Sequence, residues 1–160
     1  MQVTRAVDYG LRALVLMSRE PQGARFFLQD LAERADLPRN YLVKILKSLA
    51  SSGIVRSHRG IKGGFSLARE PKDISIRHVV EAIDGPVVVM HCLTDNQSCA
   101  YVGRYAIEVF FGDLRGKILE DLQNKSLQDI IQLQGQLDGG ACPCHGEPCA
   151  AEAEAPSQTA

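Results

Sequence analysis

A chain of 160 residues with 45% hydrophobic and 23% charged residues holds enough apolar material for one packed domain plus an accessory element, without disulfide staples. No apolar run reaches the length of a membrane span, and Asp8 and Arg12 interrupt the stretch where a cleavable signal would need an apolar segment, so a soluble cytoplasmic protein is expected. The net charge of −1 hides a division: residues 1–77 hold 14 Lys and Arg against 7 Asp and Glu, while residues 78–160 hold 4 against 12. A basic half joined to an acidic half suggests that the first half faces a polyanion, the bland alternative being a chance segregation of solvated faces.

Residues 4–20, TRAVDYGLRALVLMSRE, predict a helix. Thr4 suits the N-cap, Asp8 lies near the positive end of the helix dipole, and Tyr9, Ala13, Leu14, Leu16 and Met17 give an apolar face. A second helix is expected over 27–37, broken at Asp36-Leu37-Pro38, and a third over 38–53 with Leu42, Ile45, Leu46 and Leu49 at helical spacing and Gly53 as stop. IVRS and FSLA flank a tip with Gly60, Gly63 and Gly64, which predicts a β-hairpin over 54–69. A fourth helix follows over 73–85, capped by Asp73 or Ser75 and ended at Gly85.

Residues 105–123 form a longer helix with a stripe of Ile107, Phe110, Phe111, Leu114, Ile118, Leu119 and Leu122. That length suits a partner helix better than burial inside so small a chain, and Gly112 and Gly116 would admit a second backbone closely. Ordinary packing on its own domain needs the same stripe. A short capped helix is expected at 126–134, and from Gly135 the Gly-, Ala- and Glu-rich tail reads as disordered. The organisation expected is therefore a DNA-reading unit at 1–85, a cysteine loop at 86–104, dimerisation helices at 105–134 and a tail at 135–160.

Helix, turn, helix and hairpin in that order is a winged helix-turn-helix, so the fold class expected is mainly α with a small β-hairpin wing, followed by a long dimerisation helix. The second helix of the pair is the one built to enter a major groove. Arg39, Asn40 and Tyr41 on its first turn would face base edges and phosphates, and Lys44 and Lys47 would neutralise phosphate farther along. The hairpin tip offers His58, Arg59 and Lys62 among glycines, a slim basic shape suited to a minor groove. Exposed Arg and Lys are common, and such a unit can bind protein instead. The coincidence of helix spacing, a basic polar face and a basic glycine tip favours double-stranded DNA. Neither RNA nor a membrane is expected as a partner.

Five cysteines in a reducing compartment point to metal or redox chemistry more than to structural disulfides. Cys92 and Cys99 stand in the polar loop HCLTDNQSCAYVGRY, and Cys142, Cys144, His145 and Cys149 crowd the tail segment CPCHGEPC. The tail cysteines could bind a thiophilic ion by themselves, though their spacing is unlike the paired zinc signature. A thiol–disulfide or metal-handling enzyme is the rival class. No thioredoxin-like pattern and no acid–base cluster surrounds these cysteines in sequence, so no enzyme is expected.

MQVTRAVDYGLRAL, LAERADLPRNYLVKILKSL, IVRSHRGIKGGFSLAR and VVEAIDG occur in order, and with them the chain resembles the NsrR/IscR/RirA group of winged-helix regulators, the Rrf-two family, over residues 1–134. The resemblance implies a homodimeric transcription factor, usually a repressor, whose long helices cross at the dimer axis. It also implies an iron–sulfur cluster, two-iron or four-iron, near that axis. In the family three cysteines of the loop hold the cluster, and in the nitric-oxide-sensing branch an aspartate of the partner chain's first helix is the fourth ligand. Cys92 and Cys99 take the first two cysteine positions, Asp8 takes the aspartate position, and Tyr105 stands where the third cysteine belongs. That departure leaves three readings. Cys92, Cys99, Asp8 of the partner and a tail thiolate from Cys142, Cys144 or Cys149 hold a cluster; or Cys92 and Cys99 act as a metal-free thiol switch; or the loop is inert. A metal-free regulator answering to a small metabolite is a further alternative.

Overall fold

The computed structural model describes residues 3–60, 63–89 and 106–138. Among the described residues, six α-helices and one hairpin run in the order α1 (Arg5–Ser18), α2 (Leu28–Ala35), α3 (Arg39–Ser51), β1 (Val55–His58), β2 (Gly64–Leu67), α4 (Ile76–Asp84), α5 (Ala106–Asn124) and α6 (Leu127–Asp138). The fold is thus mainly helical with a two-stranded antiparallel wing, as the residue pattern predicts.

Local chemistry explains most boundaries. The Thr4 hydroxyl accepts from the Val7 N–H at 3.4 Å and donates to the Asp84 carboxylate, so it caps α1 and ties its start to the end of α4. Helix α2 closes on Asp36 in the left-handed region (φ 52°), two residues earlier than the apolar pattern suggests. Pro38 precedes α3 as its N-cap, with its carbonyl accepting from Tyr41 and Leu42 at 3.0 Å. Between the two cap candidates for α4, Ser75 is the one used, accepting from the His78 N–H at 3.2 Å, while Asp73 belongs to a short 3₁₀ turn.

The core lies between α1, α3 and α4, sealed by α2 and the wing. Leu14, Met17, Leu31, Leu42, Leu46, Leu49, Ile54, Ile74 and Val79 are fully buried. Leu127 joins them, because the residues ahead of α4 and α6 pair: Ile76 donates to the Lys125 carbonyl and Leu127 to that of Ile74, both at 2.8 Å. A capping box opens α6. The Asp129 carboxylate accepts from the Ser126 N–H (2.7 Å) and hydroxyl (2.8 Å), which holds its pKa below the usual carboxylate value. This helix continues to Asp138, straight through Gly135, where sequence alone suggested that order ends. No helix among the described residues is long and apolar enough to cross a membrane.

Helix α5 behaves differently from the rest. None of its residues is buried, and Val109 (72% exposed) and Phe110 (65%) stand free of the core with Ile107. The helix is held by α4 and by the Arg115 guanidinium, which donates to the Val87 carbonyl at 3.2 Å. Among the described residues a methyl group added at Gly112 or Gly116 would meet nothing within 4 Å, so none of them makes the close approach expected at these glycines.

Candidate nucleic-acid interface

The apolar stripe of α3 decides which of its side chains can meet a ligand. Leu42, Ile45, Leu46 and Leu49 turn into the core, leaving Arg39, Asn40, Lys44 and Lys47 exposed away from it and Tyr41 exposed at the rim of the packed face. Neither α2 nor α3 has a side-chain cap at its N-terminus. Their first backbone N–H groups therefore stay available to an acceptor such as phosphate, reinforced by the helix dipoles.

Beside these helix ends stands the wing. Its pairs run from Val55 with Leu67 to His58 with Gly64. A third segment extends it: Phe26 donates to the Phe65 carbonyl at 2.8 Å and accepts from the Phe65 N–H at 2.9 Å. This bridge fixes the wing against the loop ahead of α2. Only a residue without Cβ fits next to it, since a methyl group at Gly64 would lie 2.5 Å from the Phe26 carbonyl oxygen at φ 150°. An open groove of about 550 Å³ results, lined by Arg39, Gln29, Asp30, His58, Gly60 and Phe65 among others. It brings the first turn of α3 and the base of the wing tip into one concavity.

The residues expected at this interface divide into three kinds. Arg39, Asn40, Tyr41, Lys44, Lys47 and Arg59 are exposed. His58 is half-buried, and its Nε2 lies 2.8 Å from the hydroxyl of the buried Ser66, so it braces the two wing strands. Lys62 lies outside the described residues. Sequence does not single out two neighbours, Arg56 and Ser57, which are exposed on opposite faces of β1. Of VRSH only Val55 is buried, so neither burial nor polarity alternates along β1 and no period-two signal marks these two residues.

The candidate metal ligands are less gathered. Cys92, Cys99, Tyr105, Cys142, Cys144, His145 and Cys149 lie outside the described residues. Asp8 lies within them, on the outer side of α1. Its two oxygens meet the Arg12 guanidinium at 2.9 and 3.1 Å, and the pair stays about half exposed. The carboxylate borders an open groove with Leu11, Val15, Arg34 and Ile130, where α1 faces α2 and α6.

With this geometry in hand, the chain can be placed among known proteins. The family profile "Rrf2: Iron-dependent Transcriptional regulator" matches residues 3–133. The chain belongs to the Rrf2 family of transcriptional regulators. An Rrf2-like HTH-type regulator of Rhodobacter capsulatus is 36% identical over 139 residues, covering 81% of this chain and 91% of that protein. A protein of Mycobacterium tuberculosis named as an HTH-type transcriptional regulator is 31% identical over 145 residues, covering 91% and 86%. Among solved structures, T. potens IscR superposes with a TM-score of 0.61 at 25% identity, covering 82% of this chain and 87% of that one. CymR of B. subtilis, titled the global cysteine regulator, gives 0.65 at 22% identity, covering 82% and 97%. The Rrf2 relationship makes the chain a DNA-binding regulator of transcription, and its role is regulatory, not enzymatic.

Proposed function

We propose that this Rrf2 regulator binds a pseudo-palindromic operator as a homodimer and that redox or iron–sulfur chemistry at Cys92 and Cys99 tunes that binding. The observation that carries the DNA assignment is the shared concavity: exposed Arg39 at the uncapped start of α3 and the wing residues His58 and Gly60 line one groove. Arg39 and Asn40 then read base edges, and Tyr41 contacts base or backbone beside them. Lys44 and Lys47 neutralise phosphate, while Arg59 and Lys62 enter the adjacent minor groove. His58 contributes by holding the wing to Ser66. The exposed apolar stripe of α5 is the dimer contact, which sets the spacing of the two α3 helices against the half-sites.

For the sensing site, the donor set fits an iron–sulfur cluster only in part. Cys92 and Cys99 supply two thiolates, and the half-exposed Asp8 carboxylate on the outer side of α1 is open to a partner chain. A tail thiolate from Cys142, Cys144 or Cys149 would complete four donors. A bound cluster supplies a redox- and nitric-oxide-reactive centre, and the chain's own residues hold it and pass its loss to α1. One observation favours a second reading. Asp8 is already neutralised through both oxygens by Arg12, which suits a metal-free thiol switch at Cys92 and Cys99.

One experiment tests both levels. The protein purified without oxygen is assayed for iron, sulfide and visible absorption beside Cys92→Ala, and each form is used to select duplexes from a randomised DNA pool. Recovery of a two-fold symmetric sequence, bound less tightly by Arg59→Ala and with steep salt dependence, supports the DNA reading. Recovery of no common sequence overturns it. Iron and sulfide lost in Cys92→Ala support the cluster, and an iron-free wild type whose operator affinity changes on oxidation supports the switch.

A further inference from the structure

Tyr41 is the aromatic residue on the first turn of α3, and it is 43% exposed. An exposed tyrosine on a helix ordinarily samples several rotamers, and each costs something to freeze when DNA arrives. Here the ring is not free. The ring of Tyr9, from α1, meets it edge to face with centroids 5.7 Å apart and planes at 84°. Such a contact is directional, because the positive edge of one ring seeks the negative face of the other.

The placement of Tyr9 is itself tightly determined. Its neighbour Gly10 is buried, and a Cβ there would run into the Ile83 side chain on α4 and lie 3.3 Å from Ile45 on α3. Ile45 follows Tyr41 by one helical turn. Consecutive residues of α1 thus press on α3 at two points of the same face: Gly10 against Ile45 in the core, Tyr9 against Tyr41 at the rim. The Thr4 hydroxyl on Asp84 holds the same end of α1 to α4.

We propose that Tyr9 is a positioning residue for sequence recognition: it acts through Tyr41, holding that ring in the orientation in which the first turn of α3 meets its operator. This rests on the reading of α3 as the DNA-contacting helix. Tyr9 touches no DNA in this scheme and carries no charge to neutralise. Its removal lowers specific affinity while leaving the electrostatic, sequence-independent binding in place.

The test uses the full chain, a duplex selected by the wild type from a randomised pool, and an unrelated duplex of equal length. Tyr9→Leu should weaken binding to the selected duplex by about two- to tenfold, the range expected from one aromatic pair, with unchanged affinity for the unrelated duplex and an unchanged salt slope. Tyr9→Phe keeps the edge-to-face ring and should bind as the wild type does. In a Tyr41→Ala background, Tyr9→Leu should cost nothing further, which a merely structural role of Tyr9 would not produce. Melting temperatures check that the folds are intact, and Tyr9→Met serves as the second filler if Tyr9→Leu does not fold. Equal losses on both duplexes, or a Tyr9→Leu effect undiminished in the Tyr41→Ala background, would overturn the role. A pool that yields no common sequence would overturn the DNA reading and this role with it. A selected duplex bound equally well by Tyr9→Leu overturns the role of Tyr9 alone.

Discussion

Gly64→Ala probes the joint that fixes the wing. Gly64 stands at φ 150°, and a methyl group there would lie 2.5 Å from the Phe26 oxygen and 3.1 Å from its carbon. Both are backbone atoms, so no rotamer change relieves the contact. The segment must separate, and the two Phe26–Phe65 hydrogen bonds at 2.8 and 2.9 Å are the ones at risk. Strain at such a dihedral costs about 1–3 kcal/mol. Two weakened backbone hydrogen bonds cost about 1 kcal/mol each. A destabilisation of about 3–5 kcal/mol should lower the melting temperature by roughly 10–15 °C for a chain of this size. Gly23→Ala isolates the contribution of dihedral strain, since Gly23 has φ 85° and nothing within 4 Å of a Cβ. Its melting temperature should fall by only about 4 °C, from about 1 kcal/mol of strain. Thermal unfolding followed by circular dichroism measures both. If the two variants melt together, the carbonyl contact has been absorbed elsewhere, and the wing is not anchored at Phe26 as inferred.

Two other perturbations address oligomerisation and pH. Phe110→Glu should convert the proposed homodimer to monomer, because a two-fold contact loses the burial of two phenyl rings, about 1.5–3 kcal/mol each, and the dissociation constant rises at least about 100-fold; sedimentation equilibrium reads this, and a dimer of unchanged affinity would remove the α5 stripe from the interface. Asp129 has a lowered pKa because the Ser126 N–H and hydroxyl both stabilise its charged form, so its capping contribution is fully present above the ordinary carboxylate value of 3.8 and is lost as pH falls through the depressed folded-state value. The melting-temperature gap between wild type and Asp129→Ala should therefore be open at neutral pH and close in strong acid, and a gap independent of pH would show that the carboxylate does not cap α6.

The elements that could be read directly from sequence are those whose causes are local. Leu42, Ile45, Leu46 and Leu49 recur at helical spacing and are all buried; Thr4 and Ser75 cap the helices they precede. The failures arise where a residue answers to something distant. Phe26 bridges Phe65 across 39 positions of sequence, and no local pattern marks a segment that short as a sheet neighbour. Ser66, two strand positions beyond the pairing partner Gly64, holds the His58 ring, a contact across the wing that no local pattern marks. Gly135 suggests an end to order, but α6 runs one turn past the expected limit, where Asp138 pairs at 2.8 Å with Arg19, the residue that follows α1. In each case a tertiary contact outweighs the local preference.

The position of α1 explains how two distant parts of the proposed regulator would communicate. This helix buries Val7, Gly10, Ala13, Leu14 and Met17, and it packs against α2, α3, α4 and α6. A helix so enclosed cannot bend at one residue without moving the next, because close-packed interiors transmit small shifts as whole-element displacements. Asp8 faces outward on the turn that carries Tyr9 and Gly10, and those two residues press on Tyr41 and Ile45 of α3. In the proposed mechanism, a partner that takes Asp8 away from Arg12 pulls on this turn. The displacement then reaches the start of the recognition helix through the Tyr9–Tyr41 contact at the rim and the Gly10–Ile45 contact in the core. A shift below an ångström at Asp8 would suffice, since base-edge hydrogen bonds weaken steeply once their geometry is lost.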